Sequence, residues 1–301
     1  MPGRTFLQQA LPITFGYKCA IWLAPFLDHL DRLHELRPRV LKVQFAGAVG
    51  TLASLGEKGR AVTLGLARAF DLVAPEVPWH VARDGLVETA AWLGLVSGSL
   101  AKFAGDMILL SQTEVGEVAE PAEPGRGGSS TLPQKRNPIG STYIVAATRG
   151  VAALLPAMFG ALAQDHERAT GAWQSEQLAL PQIFVLTAGA LAQGVALAQG
   201  LTIDAARMRQ NLDMTGGLVL SEAVMMALAE KIGRAEAHRV VQEAARTALD
   251  ENRAFATVLG ENRVVQDHLD SAALARILDP AHYIGEAVDV TDRVLARAAK
   301  Y

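Results

Sequence analysis

The sequence predicts an all-α protein, a long antiparallel helix bundle followed by a small C-terminal helical domain, and three observations carry that prediction. Half of the 301 residues are apolar but only 6% are aromatic, a composition rich in alanine and leucine that suits long helices packed on one another. Apolar residues recur at three and four positions over stretches longer than an average helix, most plainly at Leu86, Ala90, Leu93, Val96, Leu100, Phe103, Met107 and Leu110. No segment sustains a period of two, because Phe184–Leu186 and Val288–Val290 lie inside helical patterns.

The elements follow in order. Phe15, Cys19, Trp22, Leu23, Phe26, Leu30 and Leu33 fall on one broad side of a helix over 13–36, which Pro38 is expected to close. The glycine-rich stretch 45–59 reads as a folded-back loop before a short helix near 60–70, and Pro75 and Pro78 break the chain before the long helix that ends near Leu110. Residues 112–128 have the composition of a solvated linker, and Glu114, Glu117, Glu120 and Glu123 read there as solvating acids. Two more long helices, 139–164 and 173–200, complete a bundle domain spanning 1–201. From 202 to 301 the units shorten to 204–212, 218–232, 234–250, 255–269 and 271–278. Gly233 suits a residue just past a helix end and Ser271 an N-cap.

Bulk properties exclude several functions. A formal charge of −3, from 28 basic and 31 acidic residues spread along the chain, leaves no footprint for nucleic acid or a membrane surface. The single cysteine, Cys19, rules out an internal disulfide and a cysteine metal cluster, which suits a cytoplasmic location. The amino terminus has no apolar core of a secretory signal, and apolar runs such as 93–100 and 151–162 are too short and interrupted to span a membrane. His29, His34, His166, His238, His268 and His282 show no metal-ligand spacing, and no phosphate-binding glycine motif is present, so neither metal nor cofactor is expected.

The densest chemistry lies in Gly127-Gly128-Ser129-Ser130-Thr131-Leu132-Pro133-Gln134-Lys135-Arg136-Asn137-Pro138. Glycines permit positive φ, Asn137 before Pro138 reads as an N-cap with proline at the first helical position, and such a start favours anions. Lys135 and Arg136 add charge ahead of it, so a carboxylate-bearing small molecule is the favoured ligand and a surface loop with a helix cap the plain alternative.

This loop resembles the mobile catalytic loop of the fumarase/aspartase superfamily, Gly-Ser-Ser-x-x-Pro-x-Lys-x-Asn-Pro. Agreement continues through Gly3-Arg4-Thr5-Phe6-Leu7-Gln8, the run 44–53, Trp79-His80-Val81-Ala82-Arg83-Asp84, Gly233-Arg234-Ala235-Glu236-Ala237-His238 and Leu278-Asp279-Pro280. Together these look most like the 3-carboxy-cis,cis-muconate cycloisomerase branch. The resemblance implies a tetramer whose sites draw on three chains and a polycarboxylate substrate. It also implies a first active-site segment, of Thr-Ser-x-Asp type, that this sequence does not contain. Carried over residue by residue, it makes Ser129 the general base, with Lys135 and Asn137 stabilising the intermediate. Arg4, Thr5, His80, Ser130 and Arg136 become substrate contacts, while Arg83 is as well placed for a salt bridge.

In this superfamily a proton leaves the carbon beside a carboxylate and a group leaves the neighbouring carbon, through an aci-carboxylate whose doubled charge needs preorganised donors. Related amine-expelling lyases carry histidine where this chain has Phe6. A carboxylate leaving group, with a pKa near roughly 4, needs almost no acid assistance, so Phe6 favours lactone chemistry. An adenylosuccinate lyase-like C–N lyase and a catalytically inactive scaffold are the competing expectations.

Overall fold

The computed structural model describes residues 1–121, 127–128 and 131–301. Its architecture is all-α in the main, with twelve α-helices among the described residues. By internal contacts the chain divides into two compact units, one formed by residues 24–112 and 118–202, the other by 1–23, 113–117 and 203–301. The second therefore combines the N-terminal segment with the C-terminal helices, a grouping that a boundary at 201/202 does not anticipate.

In the bundle unit, α3 (Asp84–Leu110), α4 (Ile139–Gly160) and α5 (Ala172–Gly200) pack on one another. Val87, Ala90 and Leu93 of α3 meet Val151 and Met158 of α4 and Ala179 and Ile183 of α5 in a buried apolar cluster. Small residues set the spacing: a Cβ on Gly150 would stand 2.9 Å from the Leu186 side chain, too close for any larger residue without movement. Ser97 Oγ and Thr187 Oγ1 satisfy each other inside this core at 3.0 Å. The run 93–100 lies inside α3, and 151–162 lies inside α4 except for its last two residues. By length and composition α3, α4 and α5 are each long and apolar enough to cross a membrane, contrary to the expectation from the short runs.

The preceding elements are α1 (Phe15–Val40), begun where Thr14 Oγ1 accepts from the Tyr17 amide at 3.0 Å, and α2 (Gly59–Ala69). Pro38 lies within the last turn of α1 instead of ending it. The helices after the bundle are α6 (Ala205–Asp213), α7 (Ser221–Ile232), α8 (Arg234–Asp250), α9 (Phe255–Glu261), α10 (Arg263–His268), α11 (Ser271–Ile277) and α12 (Ala287–Ala298). Val224, Leu228, Val240, Phe255 and Leu259 belong to one apolar core built from α7 to α11. The expected helix 255–269 is two, because Asn262 leaves helical geometry and its side chain caps α10 by accepting from the Val265 amide at 3.2 Å. The cap of α11 is Asp270, which accepts from the Ala273 amide at 2.7 Å, one residue before the expected Ser271.

Among the described residues two short strand pairs depart from the helical expectation, and the longer is N-terminal. Residues 2–12 form an antiparallel hairpin of β1 (Pro2–Thr5) and β2 (Gln8–Pro12), with Arg4 opposite Gln9 and Thr5 opposite Gln8. The two turn residues are Phe6 and Leu7, both left-handed at φ 49° and 63°. A two-residue turn of this kind ordinarily uses Asn-Gly or Gly, so an aromatic and a leucine there conceal the hairpin from sequence reading.

Candidate active site

The hairpin is held by a buried network within its own unit. Arg4 donates from Nη1 to Glu117 Oε2 at 2.9 Å and from Nη2 to Glu117 Oε1 at 2.7 Å, a bidentate pair whose carboxylate has no exposed surface. Asn211 of α6 donates to the same Oε1 at 2.9 Å and to the Val115 carbonyl at 2.7 Å, and Gln9 donates to the Asn211 carbonyl at 2.8 Å. Glu117 is therefore not a solvating acid, as its acidic linker suggests, but the anchor of β1. A buried carboxylate is costly unless its oxygens are hydrogen-bonded, as these are. The same anchor fixes Thr5, the next residue, and leaves Phe6 fully exposed at the tip.

In the bundle unit, a second bidentate pair joins Arg83 to Glu176 near the start of α5, with both side chains buried and Nε to Oε2 at 2.7 Å. Arg83 also donates to the Trp79 carbonyl at 3.2 Å and lies over the Trp79 ring at 5.1 Å, while the indole donates to the Val43 carbonyl at 3.0 Å. Of the two readings of Arg83, the salt bridge is the one formed here. These contacts clamp the backbone just before His80. Burial, then the Arg168 and Arg83 cations, hold the His80 imidazole below its ordinary pKa, with the Gly47 backbone opposing them. Its buried Nδ1 has no hydrogen-bond partner among the described residues. A neutral ring suits hydrogen bonding to a ligand more than charge neutralisation.

Ser129 and Ser130 lie outside the described residues, as does Glu123. Around them, Gly127 takes φ 72°, its carbonyl accepts from the Asn137 amide at 2.8 Å, and Gly128 bridges Arg136. The Lys135 amide donates to the Leu132 carbonyl at 3.0 Å, and Lys135 and Arg136 are exposed. Asn137 is not the N-cap of α4. The helix begins at Ile139, no side chain at the cap position bonds to it, and the donors at its start go to Glu120 instead. Glu120 Oε2 accepts from the Gly140 amide at 2.9 Å, and Oε1 accepts from the Ser141 amide at 2.8 Å and the Ser141 hydroxyl at 2.6 Å. Glu120 is thus a second acid of the linker with a structural partner, because a helix start attracts the nearest carboxylate.

The structure thus gathers Arg4 and Thr5 in one unit, and His80, Lys135, Arg136 and Asn137 in the other. Reading the sequence missed Glu117, Glu120, Glu176 and Asn211. A bidentate acceptor and a solvated acid have the same letter, and only the fold separates them.

Comparison with known proteins gives this geometry its context. Residues 1–153 match the lyase family, and residues 217–294 match the adenylosuccinate lyase C-terminus. The chain belongs to the lyase family. It is 51% identical to the 3-carboxy-cis,cis-muconate cycloisomerase of Pseudomonas aeruginosa, over 98% of this chain and 64% of that one. Trans-aconitate decarboxylase 1 of Mycosarcoma maydis is 44% identical over 99% of this chain and 60% of its own length. The crystal structure of 3-carboxy-cis,cis-muconate lactonizing enzyme from Pseudomonas putida superposes with a TM-score of 0.94 at 46% identity, covering 99% of this chain and 66% of that one. These relatives bear out the resemblance to the cycloisomerase branch and the all-α fold. The chain spans somewhat less than two thirds of the length of the curated relatives it matches.

Proposed function

We propose that the protein carrying this chain is a cytoplasmic, cofactor-free cycloisomerase that interconverts 3-carboxy-cis,cis-muconate and 4-carboxymuconolactone in protocatechuate breakdown. The observation that carries the proposal is Phe6, fully exposed at a hairpin tip where the amine-expelling lyases place histidine. An aromatic ring transfers no proton, so the leaving group must depart unaided, as a carboxylate does.

In the lactonising direction, a substrate carboxylate oxygen forms a bond to an alkene carbon. The π electrons move onto the adjacent carboxylate to give the aci-carboxylate, and a proton is then delivered to the α-carbon. In reverse, a base takes the α-proton and the C–O bond breaks to release the carboxylate. Ser129 holds and returns that proton, and Lys135 and Asn137 face the doubled charge of the intermediate. Thr5, His80, Ser130 and the free edge of Arg136 contact the other carboxylates. Arg4, with both terminal nitrogens on Glu117, serves by placing Thr5.

The protein assembles as a homotetramer with shared sites. In support, α4 exposes Tyr143 and Phe159, and α5 exposes Leu178, Phe184, Val185 and Val195, apolar side chains suited to cover by neighbouring protein. Arg149, exposed midway along α4, opposes a lipid neighbour and suits a protein one.

The test is substrate discrimination. Turnover of 3-carboxy-cis,cis-muconate is expected to exceed that of trans-aconitate and adenylosuccinate by orders of magnitude in kcat/KM. Preference for either competitor would overturn the assignment. Introducing histidine at Phe6 is expected to leave the lactone reaction unimproved.

A further inference from the structure

We propose that Glu120 is the positioning residue of the catalytic loop: an internal carboxylate that fills the anion-seeking start of α4 and ties Arg136 and Asn137 in place. The claim deepens the reading of the loop as catalytic and rests on it.

Three observations converge on this residue. Its carboxylate takes three donors at the beginning of α4, namely the Gly140 and Ser141 amides and the Ser141 hydroxyl. Its own backbone carbonyl accepts from Arg136 Nη2 at 2.7 Å. The next residue, Pro121, packs against the end of α5, where a Cβ on Gly200 would stand 2.7 Å from the Pro121 ring. Glu120 is thus fixed from its own side by α5 and reaches to both the helix start and the arginine that follows Lys135. Asn137 is bracketed between those two attachments.

A consequence for specificity follows from the charge. Orphan amides at a helix start bind carboxylates, and here a carboxylate of the protein already occupies them. A substrate carboxylate is therefore kept from settling against α4 and is left to Lys135, Asn137 and the loop amides, where the charge of the intermediate develops. Removing Glu120 both loosens the loop and opens a false anion site.

The experiment compares Glu120→Ala with the parent, using the native protein that carries this chain and formate as the probe. Formate is expected to raise the thermal midpoint of the variant saturably and to leave the parent unchanged. With 3-carboxy-cis,cis-muconate, the variant is expected to lose about 10- to 100-fold in kcat, the scale of a small misplacement of reacting groups. Formate should restore kcat with the same half-saturation as the thermal effect. A variant with parental kcat, or one on which formate acts as it does on the parent, overturns the proposal. If the parent leaves the muconate untouched while formate stabilises only the variant, the proposed substrate fails and the occupied helix start stands. Should Glu120→Ala not fold, Ser141→Ala removes one donor alone. It is expected to keep the thermal midpoint near parental while lowering kcat a few fold, and an unchanged kcat there also counts against the role.

Discussion

The two bidentate arginine–glutamate pairs with buried carboxylates, Arg4–Glu117 and Arg83–Glu176, solve the same problem in different surroundings. Arg4–Glu117 is completed by Asn211, so its carboxylate has a third donor, and it holds a strand whose turn is strained. Arg83–Glu176 is completed by the Trp79 ring and carbonyl, so its extra support comes through the arginine, and it holds the lead-in to a long helix. In each case the arginine stands close in sequence to a residue expected to contact substrate, Thr5 or His80. The contrast teaches that a buried charge pair here is a means of fixing backbone, and that which partner is reinforced decides which deletion does more damage.

The largest expected effect comes from breaking one pair on one side. Glu176→Ala leaves the Arg83 guanidinium buried and unpaired and should cost about 3–5 kcal/mol in urea unfolding. Glu117→Ala should fall at the lower end of that range, because the Arg4 side chain, 19% exposed, can reach water. Equal losses would show that exposure of the orphaned arginine does not matter.

Replacing both partners separates stability from placement. Arg83→Met with Glu176→Leu should lie within about 1–2 kcal/mol of the parent, since well-packed apolar residues often replace a buried pair without loss. Its KM should nevertheless rise, because His80 loses its clamp while the loop keeps Lys135 and Asn137. A parental KM in a folded double variant would detach the pair from the site.

The pH response is smaller. Burial, then the Arg32 cation, lowers the pKa of His29, and burial with Arg168 and Arg83 lowers that of His80. Well above about pH 6.5, the ordinary histidine pKa, these rings are neutral in both folded and unfolded chains. As the pH falls below that value the unfolded chain takes up protons first, so stability declines until the folded-state values are passed. His29→Gln should flatten part of that slope in unfolding curves collected between pH 5 and 7.5, a window chosen around roughly the ordinary histidine pKa. An unchanged slope would exclude His29 from the effect.

The smallest change sharpens the hairpin. Leu7→Gly relieves one left-handed leucine and should gain at most about 1 kcal/mol, partly offset by the freer unfolded chain. A destabilisation beyond that would mean the leucine packs against something in the assembled protein.

Periodicity made the long helices legible, because apolar residues at three and four positions need no tertiary partner to be recognised. The expected start at Ile139 agrees with α4, and the range 234–250 with α8. The hairpin was not legible, since Phe6 and Leu7 lack the turn chemistry that announces one. Lys135 and Asn137 stood out through their motif. Glu117, Glu120 and Glu176 did not, because their importance lies in what folding places against them: Arg4 across 113 residues, Gly140 and Ser141 across a loop, and Arg83 across 93 residues.

The most direct measurement is the diene ultraviolet absorbance of 3-carboxy-cis,cis-muconate mixed with the native protein carrying this chain, beside its Ser129→Ala variant. The account predicts rapid loss of absorbance with the parent and none above background with a variant that still folds and assembles. Equal rates for the two, or no loss with an assembled parent, would contradict it.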